Sequence, residues 1–267
     1  MSHAATRLSA LDEADETVTY EWPLTERMRT FLRLDYLFRQ TRFYADGEDE
    51  WHSRTAVSGL LESLAILGRG DVRSDALKEL DRQAQKLESF RACPGVDDAR
   101  LLSLLDLVAE RSRQLDEAGN RFLSELHSNP FLASINLRSA IPGGTCEFDL
   151  PDFKHWSSRP HAVRLEDLDH WLGRLQPLEQ AVHDVLWLTR EGAEASGQQA
   201  TGGLYEQQLE KGTSVQLLRV GLPRESELYP EISGSQHRFT VRFREWHGMR
   251  ERAELVTADV EFLLACC

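Results

Sequence analysis

The apolar positions of this chain change period along its length. From Pro23 to about Leu126 they recur every three or four residues, the spacing of one helix face. "PLTERMRTFLRLDYLF" places Leu24, Met28, Phe31, Leu34 and Phe38 on one stripe. "RTAVSGLLESLAILGRG" does the same with Val57, Leu60, Leu61, Leu64 and Leu67, then stops at Gly68 and Gly70, as helix C-termini do. "SDALKELDRQAQKL" carries Leu77, Leu80, Ala84 and Leu87, with Ser74 as the expected N-cap. After the turn "CPGVDD" a further helical stretch runs through Leu101, Leu105, Val108 and Leu115. Short connections between helices of this length predict an antiparallel bundle. A second helical block, "RLEDLDHWLGRLQPLEQAVHDVLWLTREG", contains Pro177, which should kink it or start a new helix. "GAEASGQQATGG" reads as a loop.

Beyond that loop the period becomes two. Phe239, Val241 and Phe243 alternate with Arg238, Thr240, Arg242 and Arg244; Leu218, Val220 and Leu222 alternate with Leu217 and Arg219. Val256, Val260, Phe262 and Leu264 share a face, "ETVTYEW" alternates near the start, and "TCEFDL" alternates in the middle. This is the pattern of half-buried antiparallel sheet. The predicted class is α+β: an antiparallel helical bundle domain (25–143 with 161–198) and an antiparallel β-domain (17–24 with 144–160 and 199–267). Residues 1–16 read as a disordered, solvated acidic tail.

Composition narrows the function classes. At 41% hydrophobic and 28% charged, the chain is of ordinary globular type. Its net charge of -13 argues against nucleic acid as a partner, because phosphate binding needs a positive surface. No apolar run has the length of a membrane span, and the N-terminal residues lack the apolar core of a targeting peptide, so the expected location is the cytoplasm. The four cysteines, Cys93, Cys146, Cys266 and Cys267, show no C-x-x-C spacing, so neither a zinc site nor a disulfide framework is indicated.

The segment "SAIPGGTCEFDLPDFKHW", Ser139 to Trp156, invites a catalytic reading and does not sustain one. A phosphate loop needs a lysine and a helix after its glycines, and a G-x-S-x-G elbow is absent. Pro142-Gly143-Gly144 is better read as a turn. No H-E-x-x-H pair occurs among the nine histidines. The sequence therefore predicts no catalytic, cofactor-binding or metal-binding residue. The rival reading is a cysteine-dependent enzyme of unknown substrate, using Cys146 or the terminal pair Cys266 and Cys267.

What remains is a cationic surface on an acidic chain. Arg238, Arg242 and Arg244 occupy the solvent face of one strand, with neighbours ~7 Å apart, and Arg219 is expected on the same face from another strand. Arg29 and Arg33 lie one turn apart, off the apolar stripe of the first helix. Lys154 and His155 follow, flanked by Phe153 and Trp156. Guanidinium groups grip carboxylates and aromatics cover apolar side chains, so the expected ligand is an acidic peptide. Arg190, at a helix end outside this surface, is expected to tolerate charge reversal.

These blocks also resemble a known family. "PLTERMRTFLRLDYL", "RGDVRSDALKELDRQAQKL", "PGVD", "SAIPGGTCEFDLP", "LYPEISG", "RFTVRF" and "FLLACC" are similar, in order and spacing, to the ZapD family of Z-ring-associated cell division proteins of Gram-negative bacteria. The resemblance runs from about Val18 to Cys267. It implies a non-enzymatic homodimer at the mid-cell division site. Such a protein binds the C-terminal tail of the tubulin-like GTPase FtsZ and bundles FtsZ filaments, promoting Z-ring assembly at septation. Basic contact positions carried over from the family fall on Arg33 and His155. A third falls near Pro130, where the basic residue is missing, and Arg138 is taken to stand in for it. With the surface residues above, the expected tail-binding set is Arg29, Arg33, Arg138, Lys154, His155, Arg219, Arg238 and Arg242.

Overall fold

A computed structural model describes residues 16–119, 121–210, 212 and 214–267. The tail expected over 1–16 lies, apart from Glu16, outside the described residues. Helices and antiparallel sheets together make the fold α+β. The described residues divide into two compact units: residues 30–186, and a unit that joins 16–29 with 187–267.

The continuous unit is helical. It contains most of α1 (Glu26–Ala45), then α2 (Glu50–Leu67), α3 (Val72–Ser89), α4 (Asp98–Ala118), α5 (Arg121–His127), α6 (Pro130–Ser139), α7 (Pro151–Ser157) and most of α8 (His161–Glu191). The stripes read from the sequence on α1 and α2 are buried along their whole length. On α3 the buried stripe is turned slightly: Val72, Ala76, Leu80 and Leu87 are inside with Glu79 and Gln83, while Leu77 and Ala84 are half-buried. Its N-cap is Asp71, whose carboxylate accepts from the Ser74 backbone N–H at 3.0 Å; the cap lies three residues earlier than expected. The stretch after α3 is two helices. Gly119, at φ 58°, closes α4 in a conformation few side chains adopt, and α5 begins afresh.

α8, by contrast, is continuous through Pro177. An interior proline costs about 3 kcal/mol. Leu175, Leu178, Ala181, Val182 and Val185 flank it fully buried, and a buried leucine or valine returns roughly 1.5–3 kcal/mol. Packing therefore outweighs the lost hydrogen bond. The carbonyl that Pro177 cannot reach belongs to Gly173, which is exposed to water.

The segment expected to form a strand at "TCEFDL" does not. Residues 141–150 are successive turns, in which Cys146 N–H donates to Gly143 O at 3.0 Å and Leu150 N–H to Cys146 O at 3.1 Å. These local bonds, with Gly143 at φ 71°, occupy backbone groups that a ladder would need. The alternation was misleading because its apolar positions are not buried together: Leu150 is inside, but Phe148, on the same face of a strand, is 87% exposed. Residues 144–160 accordingly fold within the helical unit.

The other unit is two facing antiparallel sheets. One has the order β1 (Thr17–Pro23), β4 (Leu217–Pro223), β8 (Val260–Cys266), β2 (Ser196–Ala200). The second has β3 (Leu204–Gln208), β6 (Arg238–Glu245) and β5 (Leu228–Gly234), with the short β7 (Glu254–Leu255) also paired to β6. Thr17 opposes Pro223 and Leu218 opposes Cys266, so both ends of the chain meet in one sheet. The core comprises Leu218, Val220, Leu222, Val260, Phe262 and Leu264 from the first sheet, and Ile232, Phe239, Val241 and Phe243 from the second. β2 lies where a loop was expected. Its glycine and glutamines carry little strand propensity, and its backbone pairing to β8 supplies the order.

Candidate functional site

β6 presents its alternation as the sequence implies. Phe239, Val241 and Phe243 point into the core, which turns Arg238 and Arg242 outward into solvent. Neither arginine has a carboxylate within salt-bridge distance among the described residues. Arg242 stands between Leu204 of β3 and Glu231 of β5. Glu231 is engaged elsewhere: it holds Arg244 at 2.6 Å and raises that guanidinium's pKa. A groove of about 630 Å³ borders Arg238, lined also by Thr240, Glu206, Gln208 and Ser233.

Arg219 does not share this face. It lies on β4, in the first sheet, and is only 7% exposed. Its Nε sits 3.3 Å from Glu21, and the same carboxylate accepts Nε and Nη2 of Arg190, each at 2.8 Å. β4 is buried on both faces, so the polar position of its alternation needed an internal counter-charge. Arg190, expected to be dispensable, is half of this arrangement. Arg29 is partly occupied as well, 3.1 Å from Glu26 and stacked 5.4 Å from the Trp22 ring.

In the helical unit Arg33 is exposed on α1, and Arg138 is exposed in the last turn of α6. Neither has a carboxylate partner among the described residues. Lys154 and His155 ride on α7, a seven-residue helix opened by Pro151. Helical spacing sends Phe153 and Trp156 inward, so they are not the surface aromatics expected beside Lys154. They join Phe131 and Trp171 in a ring cluster, with centroids 5.7–6.0 Å apart. Trp156 Nε1 also donates to Asp167 at 2.9 Å. His155 is left exposed. Lys154 is tethered between Glu147, at 2.6 Å, and Glu50, at 3.4 Å. The hydrogen bond to Glu147 is the main reason its pKa rises above the ordinary ammonium value.

The residues that build this surface from beneath carry no sequence signal. Arg54 stacks 4.4 Å from the Phe153 ring and donates to Thr145 O at 2.9 Å. Glu50 takes both Arg54 and Lys154; burial alone would push its pKa up, but these two bonds outweigh it and hold the carboxyl below its ordinary value. Cys146 is half-buried, its thiol 3.4 Å from the Asp149 carboxylate. Cys266 packs against the sheet core, and burial raises its thiol pKa. No group of three or more His, Cys, Asp or Glu among the described residues could hold a metal ion. None of the helices described is long and apolar enough to cross a membrane.

A model of the ZapD family, described as cell division protein, matches residues 32–242, well over half of the chain. This chain belongs to the ZapD family. A curated relative, the cell division protein ZapD of Methylococcus capsulatus (strain Bath), is 38% identical over 250 residues, covering 94% of this chain and 98% of the relative. The ZapD match spans α1 through β6 up to Arg242, so Arg33, Arg138, Lys154, His155, Arg238 and Arg242 all fall inside it.

Proposed function

We propose that this ZapD-family chain is a cytoplasmic adaptor of the mid-cell division ring. In this reading it binds the acidic and apolar C-terminal tail of FtsZ and, as a homodimer, cross-links FtsZ filaments. The observation that carries the reading is a set of exposed basic side chains, without a carboxylate partner among the described residues, on a chain of net charge -13: Arg238 and Arg242 on β6, and Arg33, Arg138 and His155 in the helical unit. Arg69, Lys78, Arg100, Arg121, Arg159, Arg250 and Arg252 are exposed as well. The first five are set apart by the β6 alternation and by the positions that the family resemblance brings to α1, α6 and α7, where guanidinium groups can meet a carboxylate ligand. Arg219 leaves the proposed contact set, because its guanidinium is buried against Glu21. Each tail contact would be modest; two tails held by one dimer, repeated along filaments, add by avidity. The reading assigns no chemical step.

Sedimentation tests it. FtsZ polymerised with GTP should pellet as bundles when the protein is added, and FtsZ lacking its C-terminal tail should not. Equal bundling of the tail-less filaments would reject tail binding.

A further inference from the structure

We infer that Arg164 is the positioning residue for His155; the inference rests on the tail-binding reading. A helix as short as α7 is not stable alone, so whatever holds its buried side and its ends sets the direction of its exposed residues. The buried side is held by the ring cluster of Phe153 and Trp156, and the N-terminal end by Ser134, 3.3 Å from Asp152. At the other end Arg164 Nη1 donates to Ser157 O at 2.6 Å, one of the carbonyls a helix leaves unpaired. Its Nη2 donates to Glu48 O in the connection between α1 and α2. Arg164 is 5% exposed, and its guanidinium has no carboxylate within salt-bridge distance among the described residues. A cation buried on carbonyls alone is costly, and the two contacts it does make bolt the end of α7 to the segment leading into α2.

His155 lies two residues from the bolted carbonyl, and its side chain has no hydrogen-bond or ionic partner of its own among the described residues. Lys154 has its own, to Glu147 and Glu50. Loss of the fork at Arg164 should therefore displace His155 and leave Lys154 in place. Lysine keeps the charge but not a planar fork that can span both carbonyls; glutamine keeps neither.

The test uses the full chain with Arg164→Lys, Arg164→Gln, His155→Ala and the combination of Arg164→Lys with His155→Ala. Anisotropy of a fluorescent FtsZ-tail peptide reads affinity, and NMR of the free protein reads the His155 imidazole and Lys154 side-chain signals. Arg164→Lys should weaken binding about as much as His155→Ala, roughly fivefold, the scale of one ordinary hydrogen bond. The combined variant should bind no worse than His155→Ala alone, because both act on one contact. The His155 signal should move without peptide while the Lys154 signal stays. A folded variant with wild-type affinity and an unmoved His155 signal overturns the assignment, as do losses that add in the combined variant. If neither Arg164 variant folds, Arg164 is a requirement of the whole unit and the positioning role is wrong. If His155→Ala binds like wild type, the tail-binding role of His155 fails, and the imidazole signal still decides whether Arg164 places it.

Discussion

At the scale of single residues, arginines of similar appearance in the sequence have different work. Arg242 and Arg33 are exposed and without a carboxylate partner among the described residues, whereas Arg190 and Arg219 converge on Glu21. Replacing Arg242 or Arg33 by glutamate should lower FtsZ-tail affinity about tenfold or more, since a charge-assisted hydrogen bond is worth roughly 1.5–3 kcal/mol. Melting temperature and far-UV circular dichroism should hardly move. If both variants bind the tail like wild type while folded, the cationic surfaces are not the contact. Arg190→Glu should behave in the opposite way. It sets a carboxylate against Glu21 and leaves Arg219 alone to satisfy two acids, a loss on the order of 3 kcal/mol. At about 2–4 °C per kcal/mol for a chain of this size, the melting temperature should drop by several degrees. A variant that melts with the wild type would show that the Glu21 cluster contributes nothing.

At the scale of elements, α7 is where charge and packing meet. Glu50 is held below its ordinary value of 4.5, so its tether is complete above that value and is lost as pH falls through the lowered one. Lys154 is shifted the other way, so its side of the pair is complete below the ordinary ammonium value and is lost only as pH rises through the raised one. Near neutrality both tethers are intact. The Glu50 carboxyl carbon, followed by NMR, should titrate with a midpoint below 4.5, and the Lys154 side-chain signals should follow it. A midpoint at or above 4.5 would mean that Lys154 and Arg54 do not hold it. Elements were legible in the sequence where periodicity coincided with burial, as in the α1 and α2 stripes and in β6. They were illegible where backbone pairing or tertiary packing set the structure: β2 is ordered by β8, α8 passes Pro177 on the strength of its flanking core, and "TCEFDL" alternates without its apolar positions being buried together. Arg238, Arg242 and Arg33 followed from alternation and helix phase, whereas only the family resemblance singles out His155 as a contact position and names Arg138. Arg54, Glu50 and Arg164 followed from neither, because a side chain whose partner lies far away in the sequence, as Thr145 O does for Arg54, Lys154 for Glu50 and Glu48 O for Arg164, leaves no periodic trace.

At the scale of the whole molecule, cross-linking requires two binding surfaces per particle. Light scattering at micromolar concentration should give a mass near twice 30.5 kDa. A strict monomer that still bundles filaments would overturn the bivalent mechanism and would require each chain to hold two tails.

The joining of residues 17–23 to residues 217–223 fixes an order of events during synthesis. Residues 30–186 are contiguous, and their helices can pack as they leave the ribosome. β1 is made first and meets its neighbour β4 only about two hundred residues later. At typical elongation rates that is a wait of roughly 10–40 s. β8 lies between β4 and β2, so the sheet stays in two pieces until Val260–Cys266 are added. A polypeptide released before Val260 would carry a finished helical unit and a β4 edge, Leu218 to Gly221, left without its β8 partner, a substrate for chaperones or for other unfinished copies. Translational arrest just before Val260 is therefore the point at which this chain is most exposed to misassembly.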